Sequence, residues 1–229
     1  LNSLTSHDPR CTVFNTCPKI LFHYTSIKTL ALILSTKTIR FNRLDKVQDP
    51  REAVTADFSD AQTLVFASCW TSQSTESLPL WDLYTKCKGV RIEMPTLMFK
   101  GRHNNHKVTT NDIHYEIMGV DYEIVRRSKQ YTGLSGSTVM GPTRMRYFKD
   151  PKDLEITCIK NLPEHPFYDV RELGTRKHAH WQFEEEVRFR LLATFGYSKE
   201  KDHALSPEDL KDSPVFTEFV DARIDDSAL

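Results

Sequence analysis

After two glutamates, charged and apolar residues alternate from Glu186 in the run Glu184-Glu185-Glu186-Val187-Arg188-Phe189-Arg190-Leu191. Side chains of an extended chain alternate between faces, so a strand here places Glu184, Glu186, Arg188 and Arg190 on one face. Glu185, Val187, Phe189 and Leu191 take the other. Two outcomes fit this pattern. One is the solvated outer face of a half-exposed sheet, crossed by ion pairs. The other is the floor of a polar cleft, where one glutamate does chemistry and an arginine holds that glutamate or a phosphate.

A second group is Phe22-His23-Tyr24-Thr25-Ser26. A neutral imidazole donates from one nitrogen and accepts at the other, so His23 at a strand end suits either a ligand or a buried structural bond. A third group is Ser68-Cys69-Trp70-Thr71-Ser72, followed by Leu80-Trp81-Asp82-Leu83-Tyr84. Trp81 and Tyr84 are three residues apart and share one helical face. They form either an aromatic core stripe or a stacking wall for a planar ring. His103-x-x-His106 and His178-x-His180 lack further ligands at metal spacing, so no metal site is expected. Asp45, Asp49 and Glu52 are the nearest approach to an acidic metal cluster of the kind a nuclease uses. Gly133-Leu134-Ser135-Gly136-Ser137 reads as a loop. No nucleophile elbow, Walker A or dinucleotide-binding glycine pattern occurs.

The elements that must position these residues follow from periodicity. Ile20 to Tyr24 reads as a strand. Thr25 or Ser26 caps a helix whose Ile27, Leu30, Ala31 and Leu34 form an apolar stripe. Ile39 and Phe41 mark a second strand, and Gln48-Asp49-Pro50 a turn or helix start. Thr63 to Trp70 is a strand, Pro79 opens a helix carrying Leu80 to Tyr84, and Val90 to Met94 is a strand after Gly89. The polar stretch 96–112 reads as a loop, Val120 to Val125 as a strand, and 131–142 as glycine-punctuated. Helix is expected within Leu134 to Asn161. Trp181 to Phe195 contains the best strand of the chain, and in the tail Val215, Phe216, Phe219 and Val220 are positioned to dock. Short strands mixed with few helices, without regular strand–helix–strand spacing, indicate a single α+β domain.

Composition narrows the function. The 229 residues have 31 Lys+Arg against 31 Asp+Glu, a formal net charge of zero. That argues against a generic nucleic-acid coat or a polybasic membrane anchor. The longest uncharged run, Ala61 to Thr75, is too short and polar to span a membrane. The 5 cysteines are scattered with no C-x-x-C pair, which suits reduced thiols and a cytoplasmic setting.

Taken in order, the segments resemble a bacterial family of domains of unknown function. Its H-Y-T-S strand and helix match His23-Tyr24-Thr25-Ser26. Its N-D-P-x-E turn appears as Gln48-Asp49-Pro50-Arg51-Glu52, with Gln in place of Asn. A serine-containing strand matches at Ser68, a W-x-x-Y helix at Trp81 to Tyr84, and a glycine-led strand at Gly89-Val90-Arg91-Ile92. The closing W-x-[YF]-E-x-E-W-R reads Trp181-Gln182-Phe183-Glu184-Glu185-Glu186-Val187-Arg188, with Val187 replacing Trp. The resemblance covers residues 20–95 and 178–192.

That arrangement is similar to the ADP-ribosyltransferase superfamily, in particular its bacterial nucleic-acid-modifying toxins. The resemblance implies a mixed, mostly antiparallel split sheet with a few helices. It also implies an irregular lead-in over 1–19, the ADP-ribosyltransferase-like domain over 20–195 and a charged tail over 196–229. NAD is the implied substrate, with a nucleic acid or protein as acceptor, no membrane partner, and a toxin or phage-defence role. Glu186 is the implied catalytic carboxylate, with Glu184 as its understudy or as a general base toward the acceptor. His23, Tyr24, Thr25, Ser26 and Ser68 fall at NAD-binding positions. Trp81 or Tyr84 would stack on nicotinamide, and Arg188 or Arg40 would pair with pyrophosphate or orient Glu186. An NAD glycohydrolase and an inert nucleotide- or partner-binding module are the alternatives on the same frame.

Overall fold

The computed structural model describes residues 18–57, 59–110, 113–122, 124–125, 138–161, 166–168, 172–192, 197–198, 203–204 and 218–229. In chain order these form strand β1 (Ile20–Thr25), helix α1 (Ile27–Thr36), β2 (Thr38–Arg43), β3 (Val65–Thr71), helix α2 (Leu78–Thr85) and β4 (Val90–Pro95). The hairpin β5 (Gly101–Thr110) and β6 (Ile113–Tyr122) follows, then β7 (Ile124–Val125), β8 (Thr138–Arg144) and β9 (Arg146–Phe148). Next come β10 (Ile159–Asn161), β11 (Pro166–Tyr168), β12 (Arg176–His178) and β13 (Glu186–Leu192). Short strands β14 (Tyr197–Ser198) and β15 (His203–Ala204) precede β16 (Phe219–Arg223). Short 3-10 turns include Ala61–Leu64, Pro151–Leu154 and Ala179–Glu184.

The main sheet runs β5-β6-β8-β13-β3-β2-β16-β7, with β1 and β4 branching from β3. All its ladders are antiparallel. Strand β13 follows β3 from Glu186↔Thr71 to Leu192↔Val65. The other edge of β3 is shared. Its first half pairs with β2 at Asn42↔Ala67 and Arg43↔Phe66, and its last residue pairs with β1 at Phe22↔Thr71. The sheet therefore forks along β3, and α1 joins the two tines. It also curls. Strands β6 and β7 are separated by one residue, yet β6 pairs with β8 while β7 pairs with β16. The two ends of the path thus come together. The molecule is α+β, as its residue pattern indicates.

The inside of the curl is apolar. Phe41, Phe66, Trp70, Val187, Phe189, Leu191 and Ala222 pack there with Met94, Met98 and Phe99. These are the alternate positions of their strands. The outer face of β3 and β13 is covered as well, by a cluster that includes Leu44, Ala53, Ile156 and Leu173. Both faces of β13 are consequently buried.

Several elements differ from the sequence reading. The polar stretch within 96–112 forms strand β5, because a hairpin ladder with β6 is made by backbone groups and asks little of the side chains. The helix expected within Leu134 to Asn161 is absent from its described part, which holds strands and one 3-10 turn. Thr143, Tyr147 and Phe148 lie on those strands, where β-branched and aromatic residues fit best. On α1 the buried residue is Ile33 rather than the stripe Ile27, Leu30, Ala31 and Leu34. Ile27 and Leu34 are 63% and 57% exposed, since the helix meets the core only where Ile33 joins it. Val215, Phe216 and Gly133 to Ser137 lie outside the described residues. Within the tail, Phe219–Arg223 forms β16 between β2 and β7, with Val220 and Ala222 in the core. Among the described residues no helix is long and apolar enough to cross a membrane.

Candidate functional site

At the point where β1 and β13 flank the end of β3, five ionisable side chains meet on the outer face of the sheet. Glu52, Lys177, Glu184, Glu186 and Arg188 are all buried, Arg188 to 1% exposure. Arg188 Nε donates to Glu186 Oε1 at 2.7 Å, and its terminal nitrogen donates to Glu52 Oε2 at 2.5 Å and to the Gly174 carbonyl at 3.2 Å. Lys177 Nζ lies 2.6 Å from Glu184 Oε2, 3.0 Å from Glu186 Oε2 and 3.4 Å from Glu52 Oε1. The Tyr84 hydroxyl donates to Glu184 Oε1. The Tyr147 hydroxyl accepts from the Glu186 backbone N–H at 2.9 Å.

Local structure explains how these groups converge. The chain enters β13 through a 3-10 turn, Ala179–Glu184, and Glu185 takes a left-handed conformation with φ of 42°. Glu184 therefore precedes the strand instead of belonging to it, correcting the strand expected to start at Glu184. The break turns Glu185 to solvent and folds Glu184 back beside Glu186. The solvated outer face is excluded too: Glu184, Glu186, Arg188 and Arg190 are each under 5% exposed. The turn bearing Glu52 and the segment bearing Leu173, Gly174 and Lys177 cover them. Arg190 donates to the Leu173 carbonyl at 2.5 Å.

Burial and charge divide the two glutamates. Burial raises the pKa of Glu184, and the neighbouring Glu186 adds to that against the Lys177 ammonium. Burial pushes Glu186 upward as well, but the Arg188 and Lys177 cations outweigh it and hold the carboxyl well below its ordinary range. Lys177 is desolvated, yet Glu186, Glu52 and Glu184 keep it firmly protonated. Burial and the Glu184 charge push the Tyr84 phenol up. Burial pushes the Cys69 thiol up, and that thiol hydrogen-bonds Glu186.

The remaining sequence candidates occupy distinct places. His23 Nδ1 lies 2.8 Å from the Cys69 carbonyl. A carbonyl only accepts, so Nδ1 carries the proton, and burial holds the ring neutral. Tyr24 accepts from the Ser77 N–H at 3.0 Å and meets Trp81 edge-on, which fixes the start of α2. Thr25 is buried, and Ser26 caps α1 by accepting from the Thr29 N–H at 3.0 Å. Ser68 points to the opposite, apolar face, where it accepts from the Trp70 indole at 2.9 Å. Arg40 pairs with Asp221 at 3.0 Å and covers the Phe219 ring. Of the α2 residues Leu80 alone is buried; Trp81 is half-buried and Tyr84 exposed at 43%, so α2 carries no aromatic core stripe. Asp45 pairs with Arg43 while Glu52 joins the cluster, and among the described residues no three acids, histidines or cysteines are placed to hold a metal.

Sequence reasoning missed Lys177, Tyr147 and the pairing role of Glu52. Glu52 meets Arg188 across 136 residues, and no periodicity reports such a contact. Comparison with protein families, with curated proteins and with solved structures yields no match for this chain.

Proposed function

We propose that this chain is an NAD-dependent ADP-ribosyltransferase on an ADP-ribosyltransferase-like split sheet, acting on a nucleic acid or protein. The observation that carries the reading is the meeting of three separate motifs at one end of β3. Strand β1 and the Glu184–Arg188 segment both pair with Thr71, and helix α2 reaches that segment through the Tyr84–Glu184 hydrogen bond, while the His23 ring packs on Trp70 at the apolar face. The chemistry asks for two carboxylates in different protonation regimes, which is how acid–base roles are separated within one site.

Cleaving the nicotinamide–ribose bond sends nicotinamide away with the bonding pair and leaves positive charge on the ribose carbon. Glu186 stays ionised and stabilises that charge, its orientation fixed by Arg188. Glu184, with its raised pKa, accepts the proton of the attacking acceptor as a general base. Tyr84 hydrogen-bonds Glu184 and presents a partly exposed ring beside it, suited to stacking on a planar heterocycle. Arg40, Ser68 and Ser26 are committed elsewhere and have no part in this reading.

One observation favours a second reading. Both Glu186 oxygens already accept, Oε1 from Arg188 and Oε2 from Lys177, which suits a rigid binding module without turnover. Labelled NAD separates the two. The transferase reading expects nicotinamide release with label on a macromolecule, reduced about 10²–10³-fold in Glu186→Gln. Release without label transfer indicates a glycohydrolase. NAD binding without release supports the binding module, and neither binding nor release by folded wild type rejects NAD chemistry.

A further inference from the structure

We propose that Lys177 is the positioning residue of this site, its ammonium holding Glu184 and Glu186 side by side and keeping Glu184 able to ionise. The assignment begins with geometry. An ammonium has three donors, and Lys177 Nζ faces three carboxylates at 2.6, 3.0 and 3.4 Å. Its stem is buried, and its head lies 4.7 Å from the centre of the Trp181 ring. The backbone fixes its place: β12 runs parallel to β9, with Lys177 opposite Tyr147, the residue that receives the Glu186 N–H.

The two cations of the cluster are not equivalent. Arg188 binds Glu186 and Glu52, whereas the ion pair to Glu184 comes from Lys177. The groups around them come from every adjoining element. Glu52 faces them from its turn, Tyr84 from α2, Tyr147 from β9, Cys69 from β3, and Glu184, Glu186 and Arg188 from the 3-10 turn and β13. With Lys177 neutralised, Glu184 would stand beside the Glu186 carboxylate with the Tyr84 hydroxyl as its remaining partner. A carboxyl so placed retains its proton to higher pH. The Glu186 charge and burial then act in the same direction on Glu184 with no cation to oppose them, and its service as a base moves upward with its pKa.

The test reads that protonation directly, on the full chain carrying carboxyl-labelled glutamate, with Glu184→Gln assigning the resonance. In Lys177→Met the Glu184 midpoint is expected to rise by about 1–3 pH units, and in Lys177→Arg to return toward wild type. The acid limb of nicotinamide release, which rests on the transferase reading, is expected to move by the same amount, with activity recovering at higher pH. A residue that merely filled space would lower stability without moving either midpoint. An unchanged Glu184 midpoint in folded Lys177→Met overturns the assignment. Where wild type releases no nicotinamide at any pH, the transferase reading fails and the carboxyl titration alone judges Lys177. Should Lys177→Met not fold, the side-chain nitrogen resonance of Lys177 in wild type decides. It must shift with the Glu184 midpoint, and an independent titration overturns the proposal.

Discussion

Arg188 is the largest fully buried side chain among the described residues, and it makes one unit of β13 and the turn near Glu52. Removing one member of a buried ion pair strands its partner, which is far costlier than never having built the pair. Arg188→Met is therefore expected to destabilise the fold by about 3–5 kcal/mol, read as a lower urea midpoint. The pH dependence has two opposing parts. The folded pKa of Glu186 is below its ordinary value of 4.5, so its contribution is complete above that pH and lost as the pH falls toward the folded value. Glu184 has the reverse sign: its folded pKa is raised, so its ionisation costs stability as the pH climbs through the range above 4.5. Urea midpoints followed from acid to neutral pH should show a flatter limb below pH 4.5 in Glu186→Gln and a flatter limb above pH 4.5 in Glu184→Gln. Parallel curves for wild type and both variants would contradict the two opposed shifts. The alternating charges of 184–190 were legible as a candidate site in the sequence. Lys177 was not, because its partners are reached across a turn whose φ of 42° at Glu185 no alternation rule contains.

Elements were legible where local side-chain and capping signals are strong. The strand before Ser26, the cap itself, α2 and β4 all lie where periodicity puts them. Helix α1 misled because its composition is apolar on several sides, and tertiary contact selected Ile33. Strand β5 misled because Gly101-Arg102-His103-Asn104-Asn105 lacks the alternation by which strands are recognised. Gly89 is the best test at this scale. It joins α2 to β4 so tightly that an added Cβ would lie 2.2 Å from the Thr25 carbonyl and 2.6 Å from Thr85 Cβ. Both neighbours are backbone or rigid β-branched groups, so relief requires α2 to move away from β1. Gly89→Ala is expected to cost about 1–3 kcal/mol, measured by thermal melting. Because Tyr84 rides on α2 and bonds Glu184, the same change should also disturb the Tyr84–Glu184 contact before the fold is lost. An unaltered melting temperature would show that the junction yields. A second close approach, Gly141 with φ of 124°, sits where β8 carries an extra residue opposite Arg188 and Arg190.

At the scale of the whole molecule, the site depends on a sheet that closes with the last described strand. Strand β16 lies between β2 and β7, registering Val220 with Phe41, Asp221 with Arg40 and Ala222 with both Ile39 and Ile124. Its side chains alternate as a strand requires: Val220 and Ala222 enter the core, while Asp221 takes the Arg40 guanidinium on the outer face. Five residues are a faint pattern in a charged stretch, which is why composition presents the segment as a tail. Deleting 218–229 would remove three things together. The core would lose Val220, Ala222 and Ile224, β2 and β7 would face each other across an empty strand position, and Arg40 would lose its buried carboxylate partner. Unpaired edges of that kind invite association between chains. A chain ending at residue 217 is accordingly expected to lose cooperative thermal unfolding in calorimetry and to elute as aggregate from a sizing column. The carboxylate cluster is separated from β16 by β3 and β2, so its failure would follow from loss of the sheet and not from any contact with the deleted strand. Ala222→Asp tests the core contribution alone, because it keeps the strand's backbone but buries a carboxylate among Phe41 and its neighbours. An unpartnered charge there should be as damaging as the deletion. A deleted chain that still melted cooperatively as a monomer would show that the curl is held by β13 and β3 alone.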